Sequence, residues 1–163
     1  MWIVYMMCVI MIVLSPLLIM MKEIWEVYNM KIYLASPFFT SYERTRVEKV
    51  AKYFRDKGHN VFVPMEHQIP DAWTLSNETW GQKVFNLDTE AIKDCDTVVA
   101  ILNCGMTDDA GTCWEVGYAY ALGKYIIAII DNRLQSIMTM NAVNEVRTID
   151  NLNGLYGGYI EVK

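Results

Sequence analysis

Two carboxylates carry the chemistry that this chain can be expected to perform, and Glu115 is the first. It lies within Asp109-Ala110-Gly111-Thr112-Cys113-Trp114-Glu115-Val116-Gly117-Tyr118-Ala119, an acidic, glycine-bearing turn that runs into a helix. A carboxylate held ionised in a cleft can attack an electrophilic sugar carbon and form a covalent intermediate. The position near a helix start favours the ionised form. A plainer reading stands beside it, in which Asp109 caps the helix and Glu115 complements its dipole. Asp88 is the second. It falls three and four positions after Phe85 and Val84 and four before Ile92, which places it on the apolar side of a helix. Burial of a carboxylate is costly without a hydrogen bond, so Asp88 either has a partner or ligand or sits at the helix edge and reaches water.

These residues need elements to position them, and the chain supplies alternating strands and helices. Thr97-Val98-Val99-Ala100-Ile101-Leu102 is continuously apolar and β-branched, as a parallel strand covered on both faces must be. Ligands of open α/β sheets bind outside the carboxyl ends of such strands, which puts the turn at Asp109 and the first helical turns at the site. Lys31 to Ser36 forms the first strand, stopped by Pro37. A helix follows, with Thr40 and Glu43 as a capping box, Val47, Val50, Ala51 and Phe54 as its apolar face and Gly58 as its stop. Asn60 to Val63 is a short strand ended by Pro64, and residues 65–77 read as a long loop of the kind that covers or binds ligands. The pattern from Glu78 to Lys93 is helical, with Trp80, Val84, Leu87 and Ala91 on one stripe. Gly123 stops the Glu115 helix, and Tyr125 to Ile130 is a further buried strand. Leu134 to Asn141 is expected as a short helix, Glu145 to Ile149 as a fifth strand, and residues 153–159 as a glycine-rich closing loop. The fold class is therefore α/β, three layers around a parallel sheet of about five strands.

Composition excludes several other chemistries. A net charge of −5 speaks against a general nucleic-acid binder, which needs clustered Lys and Arg. His59 and His67 are the only histidines, and Cys8, Cys95, Cys104 and Cys113 have no paired spacing, so neither a metal site nor a disulfide framework is expected. Unpaired cysteines fit a reducing cytoplasm. Neither a dinucleotide fingerprint nor a phosphate loop of the nucleoside-triphosphate kind is present. Met1 to Met21 carries no charged side chain and has the length of a membrane span, with Lys22 marking its end. Residues 1–29 are thus either an N-terminal anchor or sequence upstream of the true start at Met21 or Met30, and the first strand beginning right after Met30 favours the second. Residues 30–163 form one domain.

The segments Met30-Lys31-Ile32-Tyr33-Leu34-Ala35-Ser36-Pro37-Phe38-Phe39, Val63-Pro64-Met65-Glu66-His67-Gln68, Asn86-Leu87-Asp88 and Asp109 to Ala119 together resemble the nucleoside 2-deoxyribosyltransferases. The resemblance covers residues 30–130 in the family's order and weakens after Ile130. It implies a flavodoxin-like fold and a ping-pong exchange of the base on a 2'-deoxyribonucleoside, with deoxyribonucleosides and free nucleobases as partners and no metal or organic cofactor. By that resemblance Glu115 is the nucleophile on C1', Asp88 the acid at the nucleobase, and Tyr33 the residue that orients Glu115. Asp109 binds sugar, Gln68 contacts the base, and Phe39 and Gly111 belong to the substrate-binding set. The two carboxyls then need pKa values pushed apart, Glu115 ionised and Asp88 protonated.

One departure concerns the sugar hydroxyls, which in the family are bound by an Asn followed by Leu and Met from a neighbouring subunit of a homo-oligomer. Aligning Met138 on that Met puts Ser136 in the Asn position, with a shorter reach and fewer donors, and leaves Asn141 as a less natural substitute. This bears on the choice between a free 5'-hydroxyl and a 5'-phosphate. Related 5'-monophosphate N-hydrolases use a Ser- and Arg-rich loop after the first strand. Here that loop is Ser36-Pro37-Phe38-Phe39-Thr40, uncharged, although Arg44 and Arg46 follow, and it suits a neutral nucleoside. A membrane-held sensing domain using the same cleft only for binding is the non-enzymatic alternative. Such a sensor needs no ionised Glu115 aimed at C1'.

Overall fold

Uninterrupted apolar runs build the centre of the molecule, because strands covered on both faces have no solvated side to carry polar residues. The structure is a computed structural model that describes residues 29–102, 109–131 and 136–154. Strands β1 (Lys31–Ala35), β2 (Asn60–Phe62), β3 (Thr97–Ile101), β4 (Tyr125–Ile130) and β5 (Glu145–Thr148) form one sheet in the order β2-β1-β3-β4-β5. Every neighbouring pair is parallel. This is the flavodoxin-like order, and its reversal point lies between β1 and β3, where their carboxyl ends leave a crevice.

Helix α1 (Ser41–Asp56) covers one face of the sheet. Val47, Val50, Ala51 and Phe54 pack there on Ile32, Leu34, Val99, Ile101, Ile127 and Ile129, as the helical period requires. The Thr40–Glu43 capping box forms reciprocally, with Glu43 N donating to Thr40 Oγ1 at 3.2 Å and Thr40 N to Glu43 Oε2 at 2.7 Å. Helices α2 (Asn77–Asp94), α3 (Ala110–Ala121) and the short α4 (Ile137–Asn141) cover the other face. Each of the largest buried side chains, such as Ile32 or Ile129, contributes about 1.5–3 kcal/mol. The exposed Lys52–Asp56 and Lys31–Asp94 pairs contribute at most about 1 kcal/mol each, so the two apolar layers hold the fold.

Some sequence expectations shift at this level. The 65–77 segment contains two single 3₁₀ turns, Pro64–Glu66 and Ala72–Thr74, and α2 already begins at Asn77 because Ser76 accepts from Thr79 N. The expected α2 stripe is rotated. Trp80 stays exposed while Thr89 and Ile92 are buried against the sheet, because α2 also leans on α3 through Phe85 and Trp114, which draws Val84 and Leu87 to the flank. Residues 1–28, the start of the expected Leu134 helix at 132–135, and the glycine-rich loop from 155 onward lie outside the described residues. Among the described residues no helix is long and apolar enough to cross a membrane.

Candidate active site

The strand alternation of β1 sends Tyr33 to the α2–α3 face of the sheet, where it is wholly buried. A buried phenol needs a partner, and Tyr33 Oη donates to Glu115 Oε1 at 2.6 Å across the β1–β3 crevice. Burial, reinforced by the charges of Glu115 and Asp88, pushes the Tyr33 hydroxyl far above its ordinary range. It is therefore a permanent donor that fixes one carboxylate oxygen, Oε1.

Asp109 and Gly111 prepare the turn that delivers Glu115. Asp109 caps α3, its Oδ2 accepting from Thr112 N at 2.8 Å and Thr112 Oγ1 at 3.0 Å. A Cβ on residue 111 would come within 3.0 Å of that oxygen, so glycine at this position gives the cap its room. The plainer reading of Asp109 as a cap is thus correct for Oδ2. The plainer reading of Glu115 fares differently, since it lies in the second turn of α3, beyond the reach of the helix dipole.

Asp88 comes to the same place from α2. Phe85 of α2 meets Trp114 of α3 with ring centroids 5.2 Å apart, and Trp114 in turn stacks on Tyr118 within α3 at 5.2 Å, so that the two helices pack together and the charge of Asp88 is felt by Glu115. Burial pushes Asp88 up to about 6. Burial also pushes Glu115 up to about 7, the charges of Asp88 and Asp109 adding to it while the Tyr33 hydrogen bond pulls the other way. The expected separation, Glu115 low and Asp88 high, is therefore not what the site shows. Both are raised, and Glu115 more so, because it is deeper and faces two other carboxylates.

The structure gathers Tyr33, Asp88, Asp109, Gly111 and Glu115. Gln68 and Phe39 are exposed residues on the β2 and β1 loops, Phe39 being stacked on Phe38 at 5.6 Å. Ser136 and Met138 are elsewhere. Ser136 caps α4, and with Met138 it lines an apolar groove of about 520 Å³ bounded by Cys113, Val116, Gly117 and Tyr120 on the other flank of α3 from Asp88. A cavity of about 530 Å³ lies by the amino ends of β1 and β2 and is lined by none of Asp88, Asp109 and Glu115. Sequence reasoning missed Phe62 and His67 as a pair. Phe62 stacks on Tyr33 at 5.6 Å and His67 on Phe62 at 4.0 Å, and the register partner of Tyr33 on β2 is Phe62 itself.

The chain matches the family model for nucleoside 2-deoxyribosyltransferase over residues 32–152. A nucleoside deoxyribosyltransferase of Limosilactobacillus fermentum is 30% identical over 118 residues, which cover 67% of this chain and 70% of that protein. The match to the enzyme of the same name from Lactobacillus johnsonii, also 30% identical, covers 46% of this chain and spans only about half, 54%, of that relative. The solved 2-deoxyribosyltransferase of Bacillus psychrosaccharolyticus is 37% identical, with a TM-score of 0.66 over 71% of this chain and 84% of that one. The chain belongs to the nucleoside 2-deoxyribosyltransferase family.

Proposed function

We propose that the protein transfers 2-deoxyribose between nucleobases through a covalent ester on Glu115, serving the reuse of nucleosides. The observation that carries this is the 2.6 Å bond from Tyr33 Oη to Glu115 Oε1 at the strand-end crevice, with Asp88 beside it. Glu115 Oε2 attacks C1' as the C1'–N bond breaks and its electron pair goes to the base, which takes a proton from Asp88. A second base then attacks C1', the ester C–O bond breaks, and the incoming base returns its proton to Asp88. Incubation with a deoxynucleoside and a different free base tests this, with the exchanged nucleoside as the expected product.

The productive and unproductive forms of the site each hold one proton on the pair. Burial raises Glu115 to about 7 and Asp88 to about 6, so the two carboxyls compete for that proton, and the productive form places it on Asp88. Two protons block attack and none blocks donation, so kcat/KM should describe a narrow bell centred between about pH 6 and 7. A profile flat from pH 5 to 9, measured with one donor, would remove the pair from the rate-determining chemistry.

The loop after β1 supports a neutral substrate. Arg44 Nη1 is occupied by the carbonyls of Phe38 and Phe39 at 3.0 and 3.3 Å, and Arg46 is buried against Asp131 at 3.4 Å and the Leu102 carbonyl at 3.4 Å. Glu43 places a carboxylate at the α1 N-terminus, where a phosphate would otherwise be welcome. Deoxynucleosides should therefore outcompete their 5'-monophosphates by at least about tenfold in kcat/KM, and ribonucleosides should be poor. Competition assays decide, and a preference for the monophosphate would reassign the protein as an N-hydrolase.

The site is read as completed by a second copy of the chain. Ile137 and Met138 are 79% and 83% exposed on α4, an arrangement that suits a helix presented to a neighbour's cleft. Ser136 would then offer its hydroxyl to the neighbour's sugar.

A further inference from the structure

We infer that His67 is a positioning residue, which through Phe62 and Tyr33 ties the base-contacting loop to the nucleophile and so sets how the deoxyribosyl ester divides between base and water. The inference rests on the transferase reading above. Three rings run outward from Glu115: Tyr33, whose hydroxyl holds the carboxylate at 2.6 Å, then Phe62 at 5.6 Å and 14°, then His67 at 4.0 Å and 2°. Gln68 follows His67 directly.

The backbone just before Gln68 is tied down twice. Arg55 grips Glu66 with both arms of its guanidinium, at 2.9 and 2.6 Å, while also reaching the Val61 carbonyl at 3.0 Å. The 3₁₀ turn closes with His67 N on the Pro64 carbonyl at 3.0 Å. Between His67 and the Ser76 cap of α2, the hydrogen bonds are local ones, from Thr74 to the Asp71 carbonyl and from Leu75 to the Ala72 carbonyl. The stacked imidazole is therefore the last side-chain tether before Gln68. An exposed histidine lying flat on a half-buried phenylalanine adds little to the core. Its use is geometric, since it fixes where the backbone points as it enters the loop.

The consequence falls on the second half of the reaction. Water reaches the ester without Gln68, whereas an incoming base has to be held in line with C1'. Loosening His67 should slow capture by base and spare capture by water.

The test uses the full chain with a deoxynucleoside donor and a second free base, measuring exchanged nucleoside against free deoxyribose. His67→Ala should lower the ratio of transfer to hydrolysis by about two- to tenfold, the span expected from loss of one aromatic pair, and raise the KM of the acceptor base. His67→Phe, which keeps a flat ring, should restore the ratio to within about twofold. Hydrogen exchange across residues 68–76 should rise in His67→Ala and stay at the wild-type level in His67→Phe. An unchanged ratio and unchanged loop exchange in His67→Ala would overturn the inference, as would a phenylalanine variant that behaves like alanine. Absence of any deoxyribosyl transfer by the wild type would defeat the functional reading instead, and the loop exchange would still decide whether His67 is the tether.

Discussion

Glu115→Ala should abolish base exchange, with a rate loss of roughly four orders of magnitude or more, while the protein stays folded. Removing a covalent nucleophile removes the reaction route itself, and the remaining cleft supplies only binding. Glu115→Gln makes a sharper companion, because it keeps an acceptor for the Tyr33 hydroxyl but cannot attack C1'. It should also be more stable than the wild type at alkaline pH. A carboxyl raised from 4.5 to about 7 in the folded state binds its proton more tightly there than in the unfolded chain. Its contribution to stability is complete below about 4.5 and is lost as the pH rises through about 7, a loss approaching roughly 3 kcal/mol. Thermal melts at pH 5 and pH 8 should show the two proteins converging at the lower value and separating at the higher. A folded Glu115→Ala protein with near-normal exchange would end the covalent mechanism, and a Glu115→Gln protein no more stable at pH 8 would show that Glu115 is not buried under strain.

The legible parts of this architecture were those written in short-range pattern. β1, β3 and β4 are runs of apolar, mostly β-branched residues, α1 has a clean helical face between a capping box and Gly58, and Asp109 precedes α3 as a helix cap should. Glu115 and Asp88 could be singled out from local pattern and Tyr33 from a motif resemblance, but the contact between Tyr33 and Glu115 joins residues 82 positions apart, which no local period encodes. The pKa order was misjudged for the same reason. Position near a helix start is a sequence property, whereas the depth of Glu115 and its exposure to Asp88 and Asp109 follow from how α2 and α3 close over β1. Phe62 looked like an ordinary strand residue and His67 like a loop residue. Only the parallel register that sets Phe62 beside Tyr33 turns them into a stack. The stripe assigned to α2 holds at Ala91, which packs on the core, but not at Trp80, which is apolar yet half exposed, while Phe85 beside it serves the α2–α3 contact.

Asp88→Asn should divide substrates by the quality of their leaving base. A base that departs poorly needs a proton as the C1'–N bond breaks, and a positioned acid is worth about 10²–10⁴-fold in such a step. A base that departs well as an anion needs little help. In the variant, kcat/KM should therefore fall about 10²-fold or more for donors with poor leaving bases and less than about tenfold for good ones, so that log kcat/KM depends more steeply on the pKa of the base. The pH profile gives an independent reading. Asparagine cannot lose a proton, so the alkaline limb should disappear. The acid limb should then follow Glu115 alone, without the proton it shared with Asp88. Asp88 at about 6 is mostly ionised at neutral pH in the open site, and a bound base that shuts out water has to raise it further before it can donate. Equal losses across all bases, with both limbs of the profile unmoved, would mean that Asp88 braces α2 against α3 and that the proton for the departing base comes from another group.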